Sequence, residues 1–308
     1  MSTSTRLTGS HRLAVSTGLL LCCALCGCGN PEGGGDAEAG RIVVTGSSTI
    51  APLMAEIAKR FESRHPGVRV DVQTGGSSRG IADARSGLAD LGMASRSLKD
   101  DEAELLAFPI ATDGVCLIVH ADNPIEELTR EQVIGIYTGT ISNWQAAGGS
   151  DAPITVVNKA EGRSTLELFL AHFGLEARQI AADVVIGDNE QGIKTVAGNP
   201  HAIGYVSIGT AEHDAAAGVP IRLLSLAGVK ARVSTVKSGE FPLSRTLNLV
   251  SSSPPRGLVK DLVDFARSAE VHDLIEQLSF VPLVAPEREP ARQAQPGLES
   301  ASATAAPY

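Results

Sequence analysis

"RIVVTGSSTIAPLMAEIAKRF", Arg41 to Phe61, contains the change of rhythm that sets the fold class. Its first six residues are a β-type run that closes on Gly46. Three small hydroxylated residues follow, Ser47, Ser48 and Thr49. Then Ile50, Leu53, Met54, Ile57 and Phe61 recur at the spacing of one helical face. A strand that turns through glycine and serine into an amphipathic helix is the opening of a βαβ unit. Toward the C-terminus the pattern repeats: "VRVDVQTG", "SSRGIADARSG" and "ADLGMAS" read as strand, helix and strand, which predicts a parallel α/β layer. "GVCLIVH", "PITVVNK", "AIGYVSI", "IRLLSL" and "RTLNLVSS" are further strands. "LTREQVIGIYTG", a run from Ser164 with Leu166, Phe169, Leu170 and Phe173 on one face, "RGLVKDLVDFARS" and "VHDLIEQL" are further helices. There is no internal repeat and no heptad register. The class is α/β.

At 308 residues the chain is long enough for two domains, and 43% hydrophobic with 20% charged content suits a globular body. A net charge of −9 argues against a nucleic-acid partner, which calls for a basic surface. It leaves an anion site open, because a few inward amides and one or two cations set the local potential.

N-terminal to the opening stretch lies a targeting segment. Arg6, His11 and Arg12 make a basic start, and Leu13 to Leu25 an apolar core too short to span a bilayer. "LCGC", Leu25 to Cys28, has the form of a bacterial lipobox. It predicts residues 1–27 as a lipoprotein signal peptide and Cys28 as the acylated anchor, carrying chains such as palmitate. An ordinary cleavable signal is the alternative. "GNPEGGGDAEAG" makes residues 28–40 a flexible tether, and residues 287–308, poor in large apolar side chains, a disordered tail. Of the five cysteines only Cys116 lies in the body, inside an apolar run, and it reads as a small buried hydrophobe.

Four junctions share one grammar: "TGSSTI" (Thr45 to Ile50), "TGGSSRG" (Thr74 to Gly80), "EGRST" (Glu161 to Thr165) and "GDNEQG" (Gly187 to Gly192). Each joins a strand's end to a helix's start, with glycine for close approach, and the first three add hydroxyls. A helix N-terminus offers unpaired N–H groups and the positive end of a dipole, so it accepts an oxyanion. At any single junction a serine that merely caps its helix explains as much. Repetition in separate units points instead to a cage of donors at the carboxyl ends of the strands.

Enzyme signatures are missing. "EGRST" lacks the spacing and lysine of G-x-x-x-x-G-K-[ST], and the body has no G-x-S-x-G, H-E-x-x-H or paired C-x-x-C. His65, His120, His172, His201, His213 and His272 are scattered without ligand spacing. No cofactor or metal is expected, and the acidic pair Asp100–Asp101 reads as a helical first turn.

"GSSTIAPLM", "GGSSRGIADARSGLADLGMASRSLK", "VVNKAEGRSTLELF", "GDNEQGIKTVAGNPHAIGYVS" and "FPLSRTLNL" together resemble the phosphate-binding proteins of phosphate ABC importers, in family order from about Arg41 to Val284. The resemblance implies a two-lobed periplasmic-binding-protein fold with a double hinge, which traps phosphate in the cleft and presents the closed complex to a permease. It places Ser48, Thr49, Ser77, Ser95, Lys159, Arg163, Ser164 and Thr165 at the phosphate. Ser95 stands where several members have an aspartate that accepts the proton of hydrogen phosphate, and Lys159 where many have arginine. With that acceptor gone, Asp113 in "ATDGVCL" is the first substitute and Glu161 the second; a structural role for Asp113 fits equally. Arg163, at a position that is often serine, supplies a guanidinium that bonds oxyanions in bidentate fashion.

The expectation is an exported, lipid-anchored phosphate receptor, monomeric, facing the periplasm or exterior and feeding an ABC permease. Lobe 1 is expected over 41–118 and 245–286, and lobe 2 over 119–244. Its rivals are a receptor for sulfate or a small phosphate ester, a phosphatase using the same anion cage, and a surface protein that kept the fold and lost transport.

Overall fold

The computed structural model describes residues 40–283. The signal peptide, Cys28, most of the tether and the tail lie outside the described residues. No described helix is long and apolar enough to cross a membrane.

The opening stretch folds as its pattern requires: strand β1 (Gly40–Gly46) runs into helix α1 (Ala51–Arg64). Pro52 fits the first turn of α1, where its missing N–H leaves no bond unmade. Leu53, Met54, Ile57 and Phe61 are fully buried along one side. Next come β2 (Val68–Thr74), α2 (Ser77–Ser86), β3 (Leu91–Ala94), the long β4 (Leu106–His120) and α3 (Arg130–Tyr137). β5 (Thr155–Lys159), α4 (Ser164–Phe173), β6 (Val184–Ile186), α5 (Asn189–Ala197) and β7 (Ala202–Ser207) follow. The chain continues through α6 (Ile208–Ala216), β8 (Ile221–Leu223), α7 (Val233–Lys237), β9 (Ser244–Ser251), α8 (Gly257–Ala266), α9 (His272–Gln277) and β10 (Val281–Pro282). Asp100 and Asp101 open a short 3-10 turn rather than an α-helix.

The principal strand order is β2-β1-β3-β9-β4-β7-β5-β6, with β8 and β10 also paired to β4. The expected parallel pairing holds within β1–β3 and again within β5–β7. Between these groups the sheet is antiparallel. β9 pairs β3 on one side and β4 on the other, and β4 pairs β7.

Two large apolar cores result. One gathers Ile42, Leu53, Ile57, Phe61, Leu91, Leu247 and Leu262; the other gathers Val133, Tyr137, Trp144, Val156, Phe169 and Ile203. Burying such a side chain fully stabilises the fold by about 1.5–3 kcal/mol, so each core is a sizeable source of stability by itself. The long strand β4 serves both, with Ile110 and Ala111 in the first core and Val115 to Val119 in the second. β4 pairs β9 up to Gly114↔Ser244 and pairs β7 from Val115 onward. Val115 to Ile118, expected with the first lobe, pack in the second core. At the crossing a Cβ on Gly114 would lie 2.5 Å from Ile208 Cδ1, so a larger residue there requires Ile208 and Val236 to shift. Cys116 is buried in this strand, and burial pushes its thiol pKa up, which leaves it inert.

Candidate functional site

The four junctions singled out in the sequence are the starts of α1, α2, α4 and α5, and all four reach one cavity. The cavity is lined by Ser47, Ser48, Thr49, Gly76, Ser77 and Ser95 from the first group of elements. Lys159, Arg163, Ser164, Thr165, Gly187 and Asn189 line it from the second. Its interior volume of about 10 Å³ is far below that of pockets for drug-sized ligands, which run from roughly 300 to 1,000 Å³, so this one suits a small ion. All eight residues expected at the ligand are therefore brought together.

The helix starts are built to present amides. At α2 and α4 no side chain caps the N-terminus, and at α1 the N-cap residue Ile50 has none to offer. Ser47 Oγ, upstream, accepts from the N–H of Thr49 at 3.2 Å and of Ile50 at 3.4 Å. Of these four starts only that of α5 has its N-cap side chain engaged, Asp188, which accepts from Gln191 N–H at 2.8 Å. The hydroxyls of Ser77 and Ser164 are thus not engaged in capping. First-turn amides without intrahelical partners are the usual seat of an oxyanion.

Two glycines allow the close approach. Gly46 (φ +132°) brings β1 onto β3, where a Cβ would stand 2.4 Å from the Met93 carbonyl oxygen. Gly76 (φ +96°), the N-cap of α2, faces the Gly162–Arg163 turn, and a Cβ there would lie 2.7 Å from the Gly162 carbonyl oxygen. Both positions combine a left-handed backbone with contact to backbone, which no other residue satisfies. Ser78 N–H donates to that same Gly162 oxygen at 3.2 Å, closing one edge of the cavity.

The hydroxyls form a linked set. Ser47 Oγ donates to Ser95 Oγ at 3.1 Å, Ser95 N–H donates to Ser77 Oγ at 3.1 Å, and the Ser77 and Ser95 hydroxyls lie 3.4 Å apart. Ser164 Oγ is buried without any partner. A buried hydroxyl left unpaired costs about 1–3 kcal/mol, and its position on the cavity wall gives it a purpose once a ligand enters.

Two cations face the cavity. Lys159 is 3% exposed at the end of β5, and its Nζ donates to the Asp188 carbonyl oxygen at 2.6 Å and to Asn189 Oδ1 at 3.1 Å. Burial lowers its pKa to about 7; the Asp188 charge opposes this, and Arg245 and Arg163 add to it. Arg163, half-buried at the start of α4, lies against Gly76 and Gly187 and has no carboxylate partner among the described residues.

The most buried ion pair was not foreseen. Arg245 on β9 and Asp113 on β4 are each 1% exposed and meet at 2.8 Å. Asp113 Oδ2 accepts from Arg245 Nε and Nη2, while its Oδ1 accepts from Ser207 Oγ at 2.9 Å and Gly209 N–H at 3.3 Å. Asp113 is therefore behind the wall rather than in it, with both oxygens taken, so it is not poised to accept a ligand proton. Glu161 is exposed and does not line the cavity. Arg245 donates onward to Thr49 Oγ1 at 3.2 Å, Thr165 Oγ1 at 3.0 Å and Ser95 Oγ at 3.3 Å. A charged residue inside the apolar strand "RTLNLVSS" was the signal that could have marked it.

Asn189 was missed as well. Its amide donates to Thr49 Oγ1 at 3.3 Å across the cavity and to Thr210 Oγ1 at 3.4 Å, and its Oδ1 accepts from Lys159 and Ser207 N–H.

Comparison with known proteins places this geometry in a family. The model of the PBP superfamily domain matches residues 32–270. The chain is 25% identical over 255 residues to the phosphate-binding protein PstS of Bacillus subtilis, covering 81% of this chain and 83% of that one. A structure from Clostridium perfringens, assigned as a phosphate ABC transporter substrate-binding protein and crystallised with bound phosphate, superimposes with a TM-score of 0.73 at 31% identity. The overlap covers 79% of this chain and 100% of that one. An ABC-type phosphate transport receptor from Vibrio cholerae gives a TM-score of 0.66 at 30% identity, covering 78% and 99%.

Proposed function

The chain belongs to the PBP superfamily, among the phosphate-binding receptors of ABC importers, and from that premise we propose that it captures inorganic phosphate in the cavity between its two cores and delivers it to a permease. The convergence of four helix N-termini on one small cavity carries this reading. It gathers the eight expected residues, an unpaired buried hydroxyl on Ser164 and the uncommitted guanidinium of Arg163.

In this reading the amides at the starts of α2 and α4 and the hydroxyls of Ser48, Thr49, Ser77, Ser95, Ser164 and Thr165 donate to the phosphate oxygens. Lys159 and Arg163 balance its charge. The lobes meet where β4 and β9 cross at Gly114 and Ser244, and a ligand touching both walls favours the closed arrangement. No carboxylate, imidazole or thiol lines the cavity, which supports capture over turnover. Export through the N-terminal signal and acylation of Cys28 would hold the receptor, as a monomer, beside the membrane it serves.

Calorimetric titration of the purified chain with inorganic phosphate tests the reading. Saturable one-to-one binding that weakens in Ser164→Ala and Arg163→Gln is expected; a chain that takes up no phosphate overturns it. For the anchor, labelling with a palmitate analogue should be lost in Cys28→Ser, and retained labelling would rule Cys28 out.

A further inference from the structure

Resting on the reading of the cavity as an oxyanion site, we propose that Arg245, fixed by Asp113, turns the wall hydroxyls into committed donors, and that the cavity therefore takes tetrahedral dianions whether or not they carry a proton, sulfate as well as phosphate.

A guanidinium has five N–H donors and no acceptor, and a hydroxyl has one proton and two lone pairs. Wherever Arg245 donates to a hydroxyl, that hydroxyl's own proton must point elsewhere. Thr49 Oγ1 accepts from Arg245 and from Asn189, which fills both lone pairs and leaves only its proton for the cavity. Ser95 Oγ accepts from Arg245 and from Ser47, so it too has only a proton to give. Either that proton enters the cavity, or it goes to Ser77 Oγ, which already accepts from Ser95 N–H and must then send its own proton inward. Both routes deliver one donor. Thr165 Oγ1 accepts from Arg245, which likewise turns its proton away from the guanidinium.

The side-chain acceptors near the cavity are already filled. Asn189 Oδ1 is taken by Lys159 Nζ and Ser207 N–H, and Asp113 stands behind the wall with four hydrogen bonds. No carboxylate lines the space. With Lys159 held charged by the bound dianion, the lining side chains offer the proton of hydrogen phosphate only neutral hydroxyls able to rotate, such as Ser48 and Ser164. Sulfate forgoes at most that one neutral hydrogen bond and meets no repelling charge. One such bond is worth roughly a threefold to tenfold preference. A site built around a dedicated acceptor would instead reject the proton-free analogue by about ten-thousandfold or more. The two designs therefore differ by orders of magnitude in one measurable ratio.

Competition calorimetry on the full chain at one near-neutral pH decides between them, since both anions then start from the same state of the protein. Sulfate is expected to displace phosphate with a Kd within about tenfold of phosphate's own. Phosphate binding that survives a large excess of sulfate overturns the proposal while leaving the phosphate reading intact; failure of both anions to bind sinks both. Ser95→Asp places a carboxylate beside the Arg245 Nη1 that now contacts Ser95. It should cut sulfate affinity relative to phosphate by about a hundredfold or more, and an unchanged ratio counts against the proposal. Arg245→Lys keeps the charge and loses the fork, which frees the hydroxyls to accept. In the folded variant the phosphate-to-sulfate ratio should rise severalfold; a constant ratio makes Arg245 a structural residue only.

Discussion

The two walls of the cavity are made of the same kind of junction and carry different chemistry. The wall from α1, α2 and β3 offers neutral groups alone: Ser47, Ser48, Thr49, Ser77 and Ser95, several tied to each other by hydrogen bonds. The wall from β5, α4 and α5 brings both cations, Lys159 and Arg163, together with the unpaired Ser164 hydroxyl. A pre-bonded neutral wall fixes where oxygens sit, and the cationic wall supplies the attraction. Neither is a complete site. In the proposed reading, a dianion on the first wall gains its counter-charges only when the second arrives, so charge separation between the walls would itself favour closure once ligand is present.

Arg245 joins the walls, reaching Thr49 on one and Thr165 on the other, and disturbing it should blur the contrast most. Asp113→Ala leaves its guanidinium buried and unpaired. Loss of one partner from such a pair costs about 3–5 kcal/mol. Urea denaturation should show a loss of that size. A variant within about 1 kcal/mol of wild type would mean that water or a rearranged hydroxyl set replaces the carboxylate.

The cationic wall is probed at Lys159. Lys159→Met removes a charge-assisted donor, worth about 1.5–3 kcal/mol, so phosphate affinity should fall by roughly tenfold to a hundredfold. Stability should move the other way. The folded-state pKa of about 7 lies below the ordinary lysine value of 10.5. The unfolded chain therefore binds more protons between those values, and stability rises with pH across that window, with the full penalty present below it. Lys159→Met should flatten this rise and be the more stable protein at pH values below about 7. A bound anion restores the charge, so calorimetry in buffers of different ionisation enthalpy should show proton uptake above about pH 7 in wild type and none in the variant.

Ser164→Ala tests a single hydroxyl of the same wall. Loss of one neutral donor should weaken phosphate binding by about threefold to tenfold. Because Ser164 Oγ has no protein partner, the ligand-free variant should be at least as stable as wild type. Falling affinity with falling stability would instead assign the hydroxyl to the fold.

Much of this contrast could be read from the chain because its grammar is local. Strand, glycine, hydroxyl and helix follow one another within a few residues at Thr45 to Ile50 and at Glu161 to Thr165, and local steric and capping rules decide such junctions. The pair that links the walls is not local: Asp113 and Arg245 are 132 positions apart. They meet only because β4 and β9 pair antiparallel in one register, Asp113↔Arg245. Nothing in either strand's alternation specifies that partner. Asp113 therefore looked like a possible ligand group, when the register assigns its carboxylate to the arginine. The same holds for Asn189, whose junction was visible but whose reach to Thr49 depends on how closely the walls approach.

The smallest effect is expected at the rim, where the walls touch outside the cavity. Glu167 on α4 accepts from Ser78 Oγ at 3.0 Å, and its other oxygen faces Arg96 Nε at 2.8 Å and Lys99 Nζ at 2.9 Å. Those two contacts lie within ion-pair distance, but the oxygen has no aligned hydrogen bond. Arg96 is already held in a bidentate pair by Glu102, whose pKa that pairing lowers to about 2. Glu167 thus adds a second carboxylate to a buried arginine that already has one, while its exposed partner Lys99 belongs to the class of ion pairs that contribute about 0–1 kcal/mol. Glu167→Gln keeps the Ser78 bond and removes the charge. It should lower phosphate affinity by no more than about fivefold, with the difference shrinking as salt is raised. Small-angle scattering of the ligand-free variant should show a wider separation of the lobes than wild type, with the phosphate-bound forms alike. Equal scattering without ligand would mean that the rim contacts follow closure and do not favour it.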